Sequence, residues 1–207
     1  MTSKHSWLLI CVTALAVVLL LFYLFFWRFV TAFDVKGLYP DGVISTKEQV
    51  SFIEQNIMPQ LNVKLNTGQA KIIVFHWLDI DCKCTLLGKP FMEKLIANKS
   101  IEQVRHVVIT KPSQAQKTSQ WLNLADNVEV LALTPQLFND SRAFIPSSPG
   151  ASIYNQDAEG LSYFGPHSSG VTCGQGSNYI EMVLNNLSHG FDPKLYELES
   201  EGCFCSW

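Results

Sequence analysis

The chain has 207 residues, of which 47% are hydrophobic and 16% are charged, and its formal net charge is −3. It contains no block of lysine and arginine, which argues against nucleic acid as a partner because nucleic acid attracts concentrated positive charge. Four of the six cysteines form two Cys-x-Cys pairs, a usage that indicates an oxidising compartment or a controlled redox site.

The chain begins with a long uncharged run from Trp7 to Trp27, which predicts a membrane-spanning helix. About 21 residues at 1.5 Å per residue match a hydrocarbon core roughly 30 Å thick, so we expect this segment to bind the lipid bilayer. Tyr23 and Arg28 are suitable anchors at one interface. The sequence Val30-Thr31-Ala32 is compatible with signal-peptide cleavage, but the apolar run is longer than signal peptides have, so we expect an uncleaved anchor.

The charges that flank this helix do not fix its orientation, because Lys4 on one side is matched by Arg28, Lys36 and Lys47 on the other. The orientation is instead inferred from the cysteines, because the two Cys-x-Cys pairs suit an oxidising compartment. We therefore expect a single-pass protein of an inner membrane whose soluble domain faces the periplasm. The expected boundaries are an anchor at 1–30, a linker with an amphipathic helix at 31–67, an α/β domain at 68–190 and a tail at 191–207.

The soluble part alternates predicted strands and helices. A capping box from Ser45 to Glu48, followed by apolar residues at helical spacing, predicts an amphipathic helix that ends near Leu61. Apolar runs with β-branched residues predict strands at 71–78, 104–110 and 128–133, and a hairpin at 151–155 and 161–164. Helices are predicted near 87–95, kinked by Gly88 and Pro90, and at 112–124 and 178–189. This order predicts an α/β fold with a central sheet covered by helices on both faces.

The elements around the first cysteine pair resemble the thioredoxin-like fold, and in particular its membrane-tethered bacterial members. A buried strand ends in an aromatic residue, an acidic loop and closely spaced cysteines follow, and a later X-Pro dipeptide precedes the hairpin. The resemblance covers residues 68–190. It implies a thioredoxin-like central sheet with helices on both faces, here preceded by one N-terminal transmembrane helix.

The cysteine motif departs from that family, because Cys82-Lys83-Cys84 stands where the family has Cys-x-x-Cys. Two alignments remain open. Counted seven residues on from the aromatic residue Trp77, Cys84 matches the family's resolving cysteine and Asp81 falls at the place of its nucleophile. Aligned on the first cysteine, Cys82 becomes the nucleophile.

The residues of this motif suit thiol chemistry in either alignment. A helix N-terminus and the Lys83 cation both stabilise a thiolate, so we expect the pKa of Cys82 or Cys84 to be lowered. Asp79 and Asp81 oppose that effect, and one of them could accept a proton. A disulfide between Cys82 and Cys84 would close a very small ring and reduce easily, whereas the alternative is a fixed bridge from each to a cysteine elsewhere.

The resemblance also implies a cis-proline beside the cysteine pair. Ser148-Pro149 is the candidate, Pro146 is its rival, and an ordinary trans proline in a loop is the alternative to both.

The remaining cysteines leave three hypotheses open. A flexible segment at 192–207 would let Cys203 and Cys205 act as a second dithiol that relays electrons, or one of them is bridged to Cys173 and fixes the tail. A metal site would use soft ligands for copper or zinc: Cys82, Cys84, His167 and Cys173. His76 and His106 lie in apolar strands and are interpreted as packed side chains rather than ligands.

We therefore predict a membrane-tethered thiol:disulfide oxidoreductase that needs no cofactor. Cys82 and Cys84 would exchange disulfides with thiol-bearing proteins or a membrane reductant outside the cytoplasm, with Lys83, Asp81 and Pro149 supporting them. The alternatives are a thioredoxin-like chaperone for copper or zinc and a redox-inert scaffold.

Overall fold

A computed structural model of the chain describes residues 3–29, 31–33, 46–61, 70–98, 103–122, 128–168, 178–196 and 200–207. The first helix, α1 (Ser3–Phe29), contains the predicted apolar segment. Its window Trp7–Leu24 is long and apolar enough to cross a membrane, and none of that window is buried against the rest of the protein. An apolar surface of this size left uncovered is typical of a segment that inserts into lipid or serves as a signal sequence.

The described residues contain seven α-helices and nine strands. After α1 the helices are α2 (Thr46–Phe52), α3 (Lys83–Leu87), α4 (Lys89–Ala97), α5 (Ala115–Leu122), α6 (Pro135–Ser141) and α7 (Tyr179–Ser188). The strands are β1 (Thr31–Phe33), β2 (Ile72–Leu78), β3 (Val104–Thr110), β4 (Val128–Ala132), β5 (Ser147–Ser148), β6 (Gly150–Asn155), β7 (Gly160–Pro166), β8 (Ser200–Gly202) and β9 (Cys205–Ser206).

Five strands form a mixed central sheet in the order β4-β3-β2-β6-β7. The pairs β2–β3 and β3–β4 are parallel, whereas β6 runs antiparallel to β2 and β7 antiparallel to β6. Every residue of β2 is buried, as expected for a central strand whose two faces are both covered. The predicted strands and hairpin are therefore confirmed, and the fold is mixed α/β.

The sheet separates two apolar layers. On one face, Phe75 and Trp77 of β2 pack with residues of α2 and of the C-terminal tail. On the other face, Val74 and Leu78 pack with residues of α4, α5 and α7. The alternation of side chains along β2 sends neighbouring residues into opposite layers.

Four helical segments differ from the prediction. The helix predicted at 112–124 begins only at Ala115, after a turn at Pro112 and Ser113, and residues 123–124 lie outside the described residues. The first amphipathic segment continues from α2 through a π-helical turn at Ile53–Ile57 and a 3₁₀ turn at Met58–Gln60, where Pro59 lacks the N–H that a regular helix needs. The predicted kink is a full break, because α3 ends at Leu87, Gly88 caps it, and α4 begins at Lys89 with Pro90 in its first turn. Helix α6 was not predicted, although the Thr134 hydroxyl caps it by accepting a hydrogen bond from the Leu137 amide.

The end of the chain is held by two short antiparallel ladders. Strand β8 pairs with β1, which follows the N-terminal helix, and β9 pairs with β5. Trp207 is buried edge-on against Trp77, with ring centroids 5.9 Å apart, and its indole N–H donates to the Ser141 hydroxyl at 2.8 Å. The expectation of a flexible segment at 192–207 is therefore wrong for residues 200–207, because their apolar side chains belong to the core.

Candidate functional site

The two Cys-x-Cys pairs are joined to each other by two disulfides. Cys82 is bonded to Cys205 and Cys84 to Cys203, with Cα atoms 5.9 Å and 5.3 Å apart. This pairing differs from a bridge within Cys82-Lys83-Cys84 and from a bridge between the tail and Cys173. Cys173 itself lies outside the described residues.

Local structure brings the four sulfurs together. Strand β2 leads into a short loop, after which Cys82 immediately precedes α3 and Cys84 lies in the first turn of that helix. In an extended chain, residues two apart face the same side, so the tail presents Cys203 and Cys205 towards α3 while Phe204 faces the core. The Sγ atoms of Cys82, Cys84 and Cys205 all lie within 4.8 Å of one another.

The two bridges differ in their access to solvent. Cys82, Cys84 and Cys203 are buried, with exposures of 3%, 1% and 8%. Cys205 is only partly buried. Since thiol–disulfide exchange requires direct contact between sulfurs, Cys205, the most exposed cysteine of this cluster, is the candidate point of entry for a second protein.

A cis peptide bond between Ser148 and Pro149 lies beside the cysteines, at the dipeptide that the sequence singled out. The Cys82 Sγ atom is 3.7 Å from the carbonyl oxygen of Ser148, and Ser148 pairs with Cys205 in the β5–β9 ladder. The Ser148 hydroxyl accepts from the Asp79 amide at 2.8 Å and donates to the Trp77 carbonyl. Ser148 therefore ties the end of β2 to the tail, a role that the sequence did not reveal.

The acidic loop before Cys82 is fixed by residues that follow β3. The Gln114 amide donates to Asp79 at 2.9 Å and to Asp81 at 2.8 Å. Lys111 lies 2.6 Å from Asp79, and Lys117 pairs with Asp81. The hydrogen bond from Lys117, and then that from Gln114, lowers the pKa of Asp81, so this exposed carboxylate stays ionised and is a weaker proton acceptor.

The three residues that hold this loop were missed in the sequence. A signal for them was present in the predicted order of strands. The carboxyl ends of the parallel strands β2 and β3 meet at one edge of the sheet, so the residues after β3 are expected beside the acidic loop after β2. Lys83 occupies the first position of α3 and is exposed.

Three buried histidines form a hydrogen-bonded row. The His76 Nε2 atom is 2.9 Å from His106 Nδ1, and His76 Nδ1 is 3.4 Å from His167 Nε2. The same His167 nitrogen is 2.9 Å from the Gly150 carbonyl oxygen, to which its N–H donates. Burial lowers the pKa of His106 and of His167 to about 4, so the row is neutral at pH 7. Burial, and then the neighbouring His167 and His106, also holds the pKa of His76 well below its usual range.

The metal ligands suggested by the sequence are not one cluster among the described residues. His167 belongs to the histidine row. Among the described residues, the potential metal ligands that lie together are Cys82, Cys84 and Cys205. His167 nevertheless lies close to the cysteines, because it lines a small apolar cavity together with Pro149, Met92 and Cys203.

Comparisons with known proteins identify a family but no activity. Residues 48–207 match a family described as a domain of unknown function, DUF6436. No curated protein matches the chain. A hypothetical protein from Sinorhizobium meliloti 1021 is 11% identical with a TM-score of 0.50, over 66% of this chain and 79% of that one, which shows a shared fold alone. An uncharacterized conserved protein from Geobacillus kaustophilus is 13% identical with a TM-score of 0.44, over 67% of this chain and 77% of that one.

Proposed function

The chain belongs to the DUF6436 family, and from that starting point we propose that it is a membrane-tethered thiol:disulfide oxidoreductase with a thioredoxin-like fold. The observation that carries the proposal is the double bridge between two Cys-x-Cys pairs, with the partly exposed Cys205 at its outer end. The order of strand, cysteine motif, broken helix, Ser148-Pro149 dipeptide and hairpin supports the thioredoxin-like assignment. The centre needs no cofactor, since the sulfurs carry the electrons.

The Cys82–Cys205 disulfide, here called the outer bridge, reacts first. A thiolate of a partner dithiol attacks the Cys205 Sγ atom, which forms a mixed disulfide with the partner and releases Cys82 as a thiolate. The partner's second thiol then attacks the partner sulfur that is bonded to Cys205. This step gives a partner disulfide and a Cys205 thiolate, which takes up a proton. Two electrons pass from the partner to the centre, and the same steps in reverse reduce a partner disulfide.

The Cys84–Cys203 disulfide, here called the inner bridge, is opened by disulfide exchange among the sulfurs of the cluster. The Cys82 thiolate lies within 4.8 Å of the Cys84 sulfur. Its attack on Cys84 forms a Cys82–Cys84 disulfide and releases Cys203, with no change in the number of electrons held. The two bridges can therefore be opened in succession.

The tether supports a partner in or at the membrane. Strand β1 begins two residues after α1 ends, and its Thr31 pairs with Gly202, the residue before Cys203. The disulfides also favour an oxidising compartment, so we place the centre near the outer face of an inner membrane, on the periplasmic side. A thiol-bearing membrane protein or a membrane reductant would meet it there.

The tether itself is tested by extraction of native membranes at alkaline pH. We expect the protein to remain in the membrane pellet at the mass of the full chain, because the exposed Trp7–Leu24 surface stays in lipid. A soluble product that begins near Ala32 would instead identify α1 as a cleaved signal sequence.

The proposed activity is tested by equilibrating the full chain in detergent with mixtures of reduced and oxidised dithiothreitol. Thiols are then counted by the mass that a maleimide polymer adds, and folding is followed by near-ultraviolet circular dichroism. We expect two thiols from the Cys82–Cys205 bridge, then two more at a lower potential from the buried bridge, with the tryptophan signal retained.

A double variant, Cys84→Ser with Cys203→Ser, is the matched control, because it keeps the outer bridge alone and should show only the first step. Bridges that open only when the tryptophan signal collapses would contradict the proposal. That result would make them fixed fastenings of a redox-inert scaffold.

A further inference from the structure

We propose that the reduced centre binds one Zn²⁺ ion through the thiolates of Cys82, Cys84, Cys203 and Cys205, so that the redox state of the centre controls a metal site. The inference rests on the proposed function, because both disulfides must first open. Each bridge takes two electrons and two protons from a dithiol partner, which becomes a disulfide. Zn²⁺ then displaces the four thiol protons to form four zinc–sulfur bonds.

The spacing of the sulfurs fits such a site. Zinc–thiolate bonds are about 2.3 Å long, so the sulfurs of a tetrahedral site lie about 3.8 Å apart. Three of the four Sγ atoms already lie within 4.8 Å of one another, and Cys203 adjoins them through its bridge to Cys84. Opening the bridges separates each bonded pair of sulfurs, which is the direction that metal coordination requires.

The burial of the sulfurs favours a cation over four free thiolates. Cys82, Cys84 and Cys203 are almost fully covered, and a buried anion is costly unless a positive charge lies next to it. A divalent ion supplies that charge from within the cluster. A site with four protein sulfurs and no open position is typical of structural zinc.

The same ligands explain how the tail would stay in place after reduction. The two Cys-x-Cys pairs lie 119 to 123 residues apart along the chain, and in the oxidised state the disulfides join them. A shared metal ion would join the same two segments when the disulfides are open. In the oxidised state each sulfur is committed to a disulfide, so we expect no binding.

Co²⁺ is a direct probe of this site, because thiolate coordination gives it intense charge-transfer absorption in the near ultraviolet. The full chain in detergent is reduced with a phosphine, which takes up an oxygen atom from water as each disulfide opens and does not chelate the metal as a dithiol does. We expect one Co²⁺ per reduced chain, no such absorption in the oxidised chain, and complete loss of the band when Zn²⁺ is added.

Variants identify the ligands. Cys205→Ser should abolish or strongly weaken the band, whereas Cys11→Ser and His167→Gln should keep it, because Cys11 lies in α1 and the described contacts of the His167 ring are Gly150 and His76. A reduced chain that exposes the four thiols but gives no cobalt–thiolate band overturns the metal site and leaves the oxidoreductase proposal intact. Bridges that cannot be reduced in the folded chain overturn both.

Discussion

Replacing Cys82 with serine is expected to convert the protein into a covalent trap for its partners. The substitution leaves Cys205 as an unpaired thiol at the accessible end of the cluster, while the Cys84–Cys203 bridge still holds the tail in place. The Cys205 thiolate attacks a partner disulfide to form a mixed disulfide and a partner thiolate. This adduct accumulates, because the Cys82 thiol that would attack Cys205 and release the reduced partner is absent. Membranes quenched with a maleimide should show slowly migrating species on a non-reducing gel that collapse with dithiothreitol.

Two matched variants test whether Cys205 is the point of entry. Within the cluster, Cys205→Ser leaves the buried Cys82 unpaired, and Cys84→Ser leaves the buried Cys203 unpaired. Because exchange depends on access to the sulfur, we expect roughly tenfold less adduct from either variant than from Cys82→Ser. Equal trapping by all three would show that Cys205 is not the point of entry, and no adduct from any of them would contradict an oxidoreductase.

Acidification is expected to destabilise the soluble domain between pH 6.5 and pH 4 through its buried histidines. The pKa of His106 and that of His167 are lowered to about 4 in the folded chain, whereas the unfolded chain takes up protons near pH 6.5. The stabilisation is therefore complete above pH 6.5 and is lost as the pH falls towards 4. Because a pKa shift of one unit corresponds to 1.36 kcal/mol, each of the two histidines contributes roughly 3 kcal/mol to the free energy of unfolding.

Urea unfolding at pH 7.5 and pH 4.5, followed by tryptophan fluorescence, measures this loss. His106→Asn keeps a hydrogen-bond acceptor for His76 but cannot be protonated, so its loss on acidification should be smaller by about 3 kcal/mol. His189→Asn is the matched control, because His189 is exposed at the end of α7 and lies outside the buried row. Identical pH dependence in wild type and His106→Asn would contradict the assignment.

The central strands could be predicted because their local signals agree with the fold. Strand β3 has the predicted bounds and β2 differs by one residue, since runs of β-branched and aromatic side chains are typical of strands buried on both faces. Gly88 and Pro90 predicted a kink at the place where the structure has a break between α3 and α4, because the missing proline N–H acts locally.

The features that the sequence did not reveal depend on long-range contacts. His76, His106 and His167 were interpreted singly, and only the register of β2 on β3 and β6 brings their rings together. The disulfide pairing likewise has no local signal, because six cysteines allow many connectivities. What selects the pairing is the docking of Trp207 and Phe204 in the core, which places the second Cys-x-Cys pair over the first.

Mass-spectrometric mapping of the cysteine pairs in the native, oxidised protein is the most direct test of this account. After maleimide blocking and proteolysis without reductant, we expect linked peptides that join Cys82 to Cys205 and Cys84 to Cys203. The same peptides should separate, each carrying free thiols, when the folded protein is first equilibrated with a dithiol. A native disulfide within Cys82-Lys83-Cys84, or one between the tail and Cys173, would contradict the double bridge on which the proposed function depends.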